Sequence, residues 1–100
     1  MDRGIIYSAV GSKYVAEAVV SVRSSLRFNH IPHLIFCDDP GERVPGLEFC
    51  KIVSSGDPFL DKITMVNSSP FDQTLYLDTD TYVVGPISEL FDLLDRKSVV

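Results

Sequence analysis

One hundred residues, 45% of them hydrophobic, carry nine basic and 14 acidic side chains, so the chain is one globular domain or part of one with net charge −5. That balance offers no basic patch for a nucleic-acid backbone, and no stretch approaches the length of about 18 apolar residues that a membrane span needs. Cys37 and Cys50 form no CxxC and have no histidine pair at ligand spacing, which argues against structural zinc and for two reduced thiols in a cytoplasmic protein.

The opening MDRGIIYSAV puts an acid and a base ahead of a run too short for a signal peptide. Within it GIIYSAV (4–10) is apolar, β-branched and aromatic, and predicts a buried strand closed by Gly11 and Ser12. Tyr14, Ala18, Val22 and Leu26 recur at fourfold spacing, which predicts an amphipathic helix over 13–28 with Ser12 as its N-cap. HLIFC (33–37) and LEFCKIV (47–53) read as two further strands, each followed by turn residues. FLDKITMVN (59–67) has helical spacing. TLYLD (74–78) is a fourth strand, and TYVV (81–84) continues it in extended form. PISELFDLLDR (86–96) is a helix opened by proline, with Ile87, Leu90, Phe91 and Leu94 in one stripe, and the closing KSVV begins another strand. The order β, α, β, β, α, β, α predicts an α/β sandwich of mostly parallel strands whose ligands sit at strand carboxyl ends, near a topological switch point. A pattern that stops in mid-course points to a small or truncated domain.

Chemistry concentrates in LYLDTDTYVV (75–84), where two acids interrupt an apolar run. If 74–80 is extended, period-two geometry sends Asp78 and Asp80 to one face and Thr79 to the other. Two like charges so close repel unless a cation lies between them. Carboxylate oxygens favour magnesium, manganese or calcium, and two acids alone suit an ion that also holds substrate phosphate oxygens. The bland alternative is a polar strand end followed by a turn.

The segment SPFDQTLYLDTDTYVVGPISELFDLLDR (69–96) resembles the DxD segment of nucleotide-sugar glycosyltransferases with the GT-A fold, the group that holds glycogenin and the bacterial galactosyltransferases. Small and polar residues lead into a hydrophobic strand, LDxDT, a β-branched pair and a helix of ELFD type, and GSKYVAEAVVSVRSSLR extends the likeness weakly toward the N-terminus. The resemblance implies a Rossmann-like sheet, a UDP-sugar donor and a divalent cofactor, manganese before magnesium. Residue by residue, it implies that Asp80 binds the metal and that Asp78 contacts the metal or the ribose. Lys62, sixteen positions before Asp78, would contact the nucleotide; Tyr14 would stack on the uracil; and the backbone of Ala9, Val10 and Gly11 would hold base and ribose. Asp38 and Asp39 end the second strand at the same sheet edge, where a solvated loop pair is the simpler reading. Family members are longer, and their second half brings a further metal ligand, typically histidine, and the acceptor site. His30 and His33 match no such role and read as loop and strand-start residues. The likeness therefore implies that residues 1–100 are the nucleotide-binding part without the acceptor half, with an unknown acceptor and an apolar sheet edge through which copies could pair.

Two other readings stand beside it. DTDTYV also fits the DxDxT motif of haloacid dehalogenase-type phosphatases, in which Asp78 would attack phosphorus and Asp80 would serve as acid and base, although that motif follows the first strand of its domain. A small nucleotide-binding or interaction module without catalysis would use the same half-fold.

Overall fold

The computed structural model describes residues 3–92. Its elements run β1 (Arg3–Ala9), α1 (Ser12–Leu26), β2 (His33–Cys37), β3 (Leu47–Lys51), α2 (Pro58–Asn67), β4 (Gln73–Tyr76) and α3 (Ser88–Asp92). All strand pairs are parallel, in the order β3-β2-β1-β4. The expected α/β sheet flanked by helices, of Rossmann-like type, is thus the one observed. The chain steps outward from β1 to β3 and then crosses back to lay β4 on the other side of β1. The switch point therefore falls between β1 and β4.

Alternation along the strands divides the core. Ile5, Tyr7 and Ala9 of β1 and Ile35 and Cys37 of β2 meet Val15, Ala18, Val19 and Val22 of α1, while Ile6, Leu34 and Phe36 meet Met65 of α2 on the opposite face. Both faces are dry, which is why these strands carry near-continuous apolar runs. Each fully buried Ile, Val or Phe side chain contributes about 1.5 to 3 kcal/mol. Gly4 lies under the Phe71 ring, where no Cβ would fit. Among the described residues no helix is long and apolar enough to cross a membrane.

A polar seam runs under α1. Tyr7 Oη and Ser21 Oγ are 2.8 Å apart, and burial pushes the Tyr7 phenol up to about 12. His33 is fully buried, with Nδ1 2.8 Å from the Ile31 carbonyl and Nε2 2.7 Å from Ser25 Oγ. A carbonyl only accepts, so Nδ1 carries the proton and Nε2 accepts from the Ser25 hydroxyl. Burial lowers the His33 pKa and keeps the ring neutral, with the Ile31 bond opposing in part. His33 is a strand-start residue as expected, and a core group as well.

Several boundaries depart from the sequence expectations. Gly11, with φ 103°, is the N-cap of α1, and Ser12 begins the helix without a capping side-chain bond. Backbone of that kind suits only glycine. The helix stops at Leu26, β3 stops at Lys51, and α2 starts at Pro58 because Asp57 caps it through a 2.9 Å bond from Phe59 N–H. β4 ends at Tyr76, and neither Thr79–Asp80 nor 81–84 is strand. Thr81 N–H donates to the Asp78 carbonyl at 3.1 Å, which turns the chain, and Val83 N–H donates to Ser24 Oγ at 2.9 Å instead of to a neighbouring strand. Of the stripe expected on the last helix, Phe91 is buried while Leu90 stays exposed; α3 begins at Ser88, two residues after the expected start. Leu94 and the expected strand at 98–100 lie outside the described residues.

Candidate nucleotide-binding site

Parallel strands that all end at one edge leave their last side chains and following loops around a common crevice. A cavity of about 530 Å³ opens there, within the usual size range of small-molecule sites. β1 contributes Ser8 and the following Val10, α1 contributes Tyr14, and β4 contributes Tyr76 with Asp78 just beyond it. The far wall is Ser54, Gly56 and Pro58 of the β3–α2 connection with Asp61 and Lys62 of α2.

Four of the residues singled out from the sequence meet in this cavity: Val10, Tyr14, Lys62 and Asp78. Tyr14 is 49% exposed, so it is not part of the helix core face. Lys62 places Nζ 4.6 Å from the centroid of the Tyr76 ring, a cation–π contact that holds the ammonium at the cavity wall. Burial first, and then the charge of Asp78, raise the Tyr76 phenol pKa above its ordinary value; a hydrogen bond with Ser8 opposes them.

Ala9, Gly11 and Asp80 do not line the cavity. Ala9 is buried in the sheet core. Gly11 instead shapes the entrance to α1: its N–H donates to Asp38 Oδ1 at 3.0 Å, a bond that leads in holding that carboxyl below its ordinary pKa. Asp38 is thus tied to β1's end and is no longer half of a solvated pair, whereas Asp39 is exposed. Asp80 stands exposed in the turn after β4. Because 79–80 is a turn, strand alternation does not put Asp78 and Asp80 on one face. They are neighbours on a tight turn instead.

Asp61, Ser54 and Tyr76 belong to the site and are not conspicuous in the sequence. Asp61 is buried and accepts from Ser54 Oγ at 2.6 Å, Ser55 N–H at 2.9 Å and Ser55 Oγ at 2.8 Å. The Ser54 bond, then those of Ser55, hold its carboxyl below its ordinary pKa. The available signal was SSGDPFLD, in which an N-cap Asp and a first-turn Asp follow paired serines.

Asp78 and Asp80 accept no hydrogen bond from a described side chain or backbone amide and join no ion pair among the described residues. No group of three or more His, Cys, Asp or Glu side chains converges as a metal site among the described residues. Two uncommitted hard carboxylates therefore fit a divalent ion only as part of a shell completed by ligand oxygens and water. Protein-family models, curated proteins and solved structures give no match to this chain.

Proposed function

We propose that the chain is the nucleotide-sugar-binding part of a metal-dependent glycosyltransferase of GT-A type, with a UDP-sugar as donor. The observation that carries this reading is the meeting of Val10 and Tyr14 from the β1–α1 junction, Lys62 from α2 and Asp78 from the end of β4 around one cavity at the switch point. Tyr14 offers an exposed aromatic face to the base. Lys62 supplies a cation to ribose or diphosphate oxygens, and Val10 and Ser8 form the floor. Asp78 and Asp80 would hold manganese, or magnesium, together with diphosphate oxygens. When bound, the ion neutralises the charge that develops on the departing nucleoside diphosphate. The two free cysteines favour a reducing compartment, the cytoplasm. The acceptor is left to other parts of such an enzyme.

Titration calorimetry with UDP, with and without manganese, tests the assignment. Binding that needs the metal in the native chain and loses that need in Asp80→Ala supports it. Unchanged manganese-dependent affinity in Asp80→Ala would sink it, and turnover of an aryl phosphate would move Asp78 to the role of a phosphatase nucleophile.

A further inference from the structure

After β4 the chain leaves the sheet and hangs on α1. Val83 N–H donates to Ser24 Oγ and Ile87 N–H to Asn29 Oδ1, both at 2.9 Å, and Thr79 Oγ1 donates to Glu17 Oε1 at 3.1 Å. The first two bonds grip backbone amides. The third joins two side chains, and it takes hold of the residue between Asp78 and Asp80.

Glu17 follows Tyr14 by three positions, so one face of α1 presents the aromatic ring to the cavity and the carboxylate to the acid turn. It is half-buried and joins no ion pair among the described residues. A third acid next to two others is electrostatically unfavourable unless it does something there. Its Oε1 is engaged by the Thr79 hydroxyl. What it supplies is an acceptor. Apart from the Thr81 N–H bond to the Asp78 carbonyl, the Glu17 contact is the tether that fixes the 78–81 turn, whose own acids have no partners among the described residues.

We infer that Glu17 is a positioning residue for the metal–diphosphate site, locking the Asp78-Thr79-Asp80 turn through the Thr79 hydroxyl. This role rests on the nucleotide-sugar reading. It is tested with native protein, Glu17→Gln, Glu17→Leu, Thr79→Val and the Glu17→Leu/Thr79→Val pair, each checked for fold by circular dichroism. Two readouts are taken: amide hydrogen exchange at Thr81 without ligand, and UDP affinity with and without manganese. Glu17→Leu and Thr79→Val should each speed Thr81 exchange and weaken manganese-dependent UDP binding about five- to tenfold, the pair being no worse than either alone. Glu17→Gln keeps an acceptor oxygen and should stay within about twofold of native on both readouts. Metal-free UDP binding should not change. Native protein that binds no UDP in manganese overturns the nucleotide-sugar reading and this role with it. Native protein that binds, beside a Glu17→Leu chain of unchanged metal dependence or a Glu17→Gln chain as impaired as Glu17→Leu, overturns the positioning role alone. Should Glu17→Leu fail to fold, Thr79→Val carries the same comparison.

Discussion

Two walls of the cavity hold aspartates in opposite conditions. On the α2 wall, Asp61 is buried and saturated by Ser54 and Ser55, and it latches the connection that precedes its own helix. On the β4 side, Asp78 at the cavity and Asp80 in the turn beyond it are exposed and accept nothing from the described residues. The same side chain thus serves architecture in one place and stands available in the other. A carboxylate whose lone pairs are filled by the protein has little left for a ligand, while one kept bare on an anchored turn is ready for a cation.

The comparison breaks first at Asp61. Asp61→Ala leaves the Ser54 and Ser55 donors without their acceptor, so the melting temperature should fall further than for Asp78→Ala or Asp80→Ala, and UDP affinity should drop with it. Equal melting temperatures across the three variants would erase the distinction between the walls. Asp80→Ala should do the reverse: a near-native melting temperature, with a loss of about 2 to 4 kcal/mol in manganese-dependent UDP binding.

Lys62, next to Asp61 on the α2 wall, reaches across to Tyr76 of β4. Lys62→Ala should weaken UDP by roughly 1.5 to 3 kcal/mol, the range for a charged hydrogen bond. Loss of its contact with Tyr76 should lower stability by only about 0.5 to 1 kcal/mol. A calorimetric titration and a urea melt separate the two effects, and unchanged UDP affinity would return Lys62 to the solvated surface.

Acid sharpens the contrast further. Folded His33 has a lowered pKa, so the unfolded chain takes up its proton first, and stability should begin to fall as pH drops below 6.5 toward the folded value. Asp61 and Asp38 are also lowered in the folded state. Their contribution is complete above 3.8 and is lost as pH falls below it. Urea midpoints against pH should therefore decline in two stages, and Asp61→Asn should flatten the lower one. A midpoint constant from pH 7 to 5 would contradict the buried neutral histidine.

The smallest effect is expected at the thiols. Parallel register pairs Phe36 with Cys50 and Cys37 with Lys51, so the cysteines face opposite sides of the sheet and cannot form a disulfide. Burial, followed by the charges of Asp38 and Asp39, pushes the Cys37 thiol up to about 11. One thiol, Cys50, should react quickly with a disulfide reagent at pH 8, and oxidant should leave the melting temperature unchanged. Two fast thiols, or an oxidation-dependent shift, would show a different packing of β2 on β3.

Of the candidate site, Asp78 was legible from the residues themselves, as an acid closing an apolar run. Tyr14 and Lys62 were singled out only by the resemblance of the DxD segment, since each reads on its own as an ordinary helix residue, and the cavity gathers all three. Asp61 and Glu17 look like ordinary helix charges in the sequence. What distinguishes them is a partner, at Ser54 and Ser55 for one and 62 positions away at Thr79 for the other. Periodicity carries no information about such pairings.

Local sequence determined the kind and order of the elements, since hydrophobic period, turn residues and proline act over a few neighbouring positions and the two-sided burial of a parallel sheet writes itself into each strand. The tertiary structure alone decided where those elements stop and what their polar ends do. Nothing in TYVV forbids a strand. It leaves the sheet because Thr79 and Val83 find Glu17 and Ser24 on α1. His33 reads as a strand-start residue until Ser25 and the Ile31 carbonyl enclose it. A hydrogen bond between distant residues exists only once the core has brought them within about 3 Å, so its consequences belong to the folded molecule.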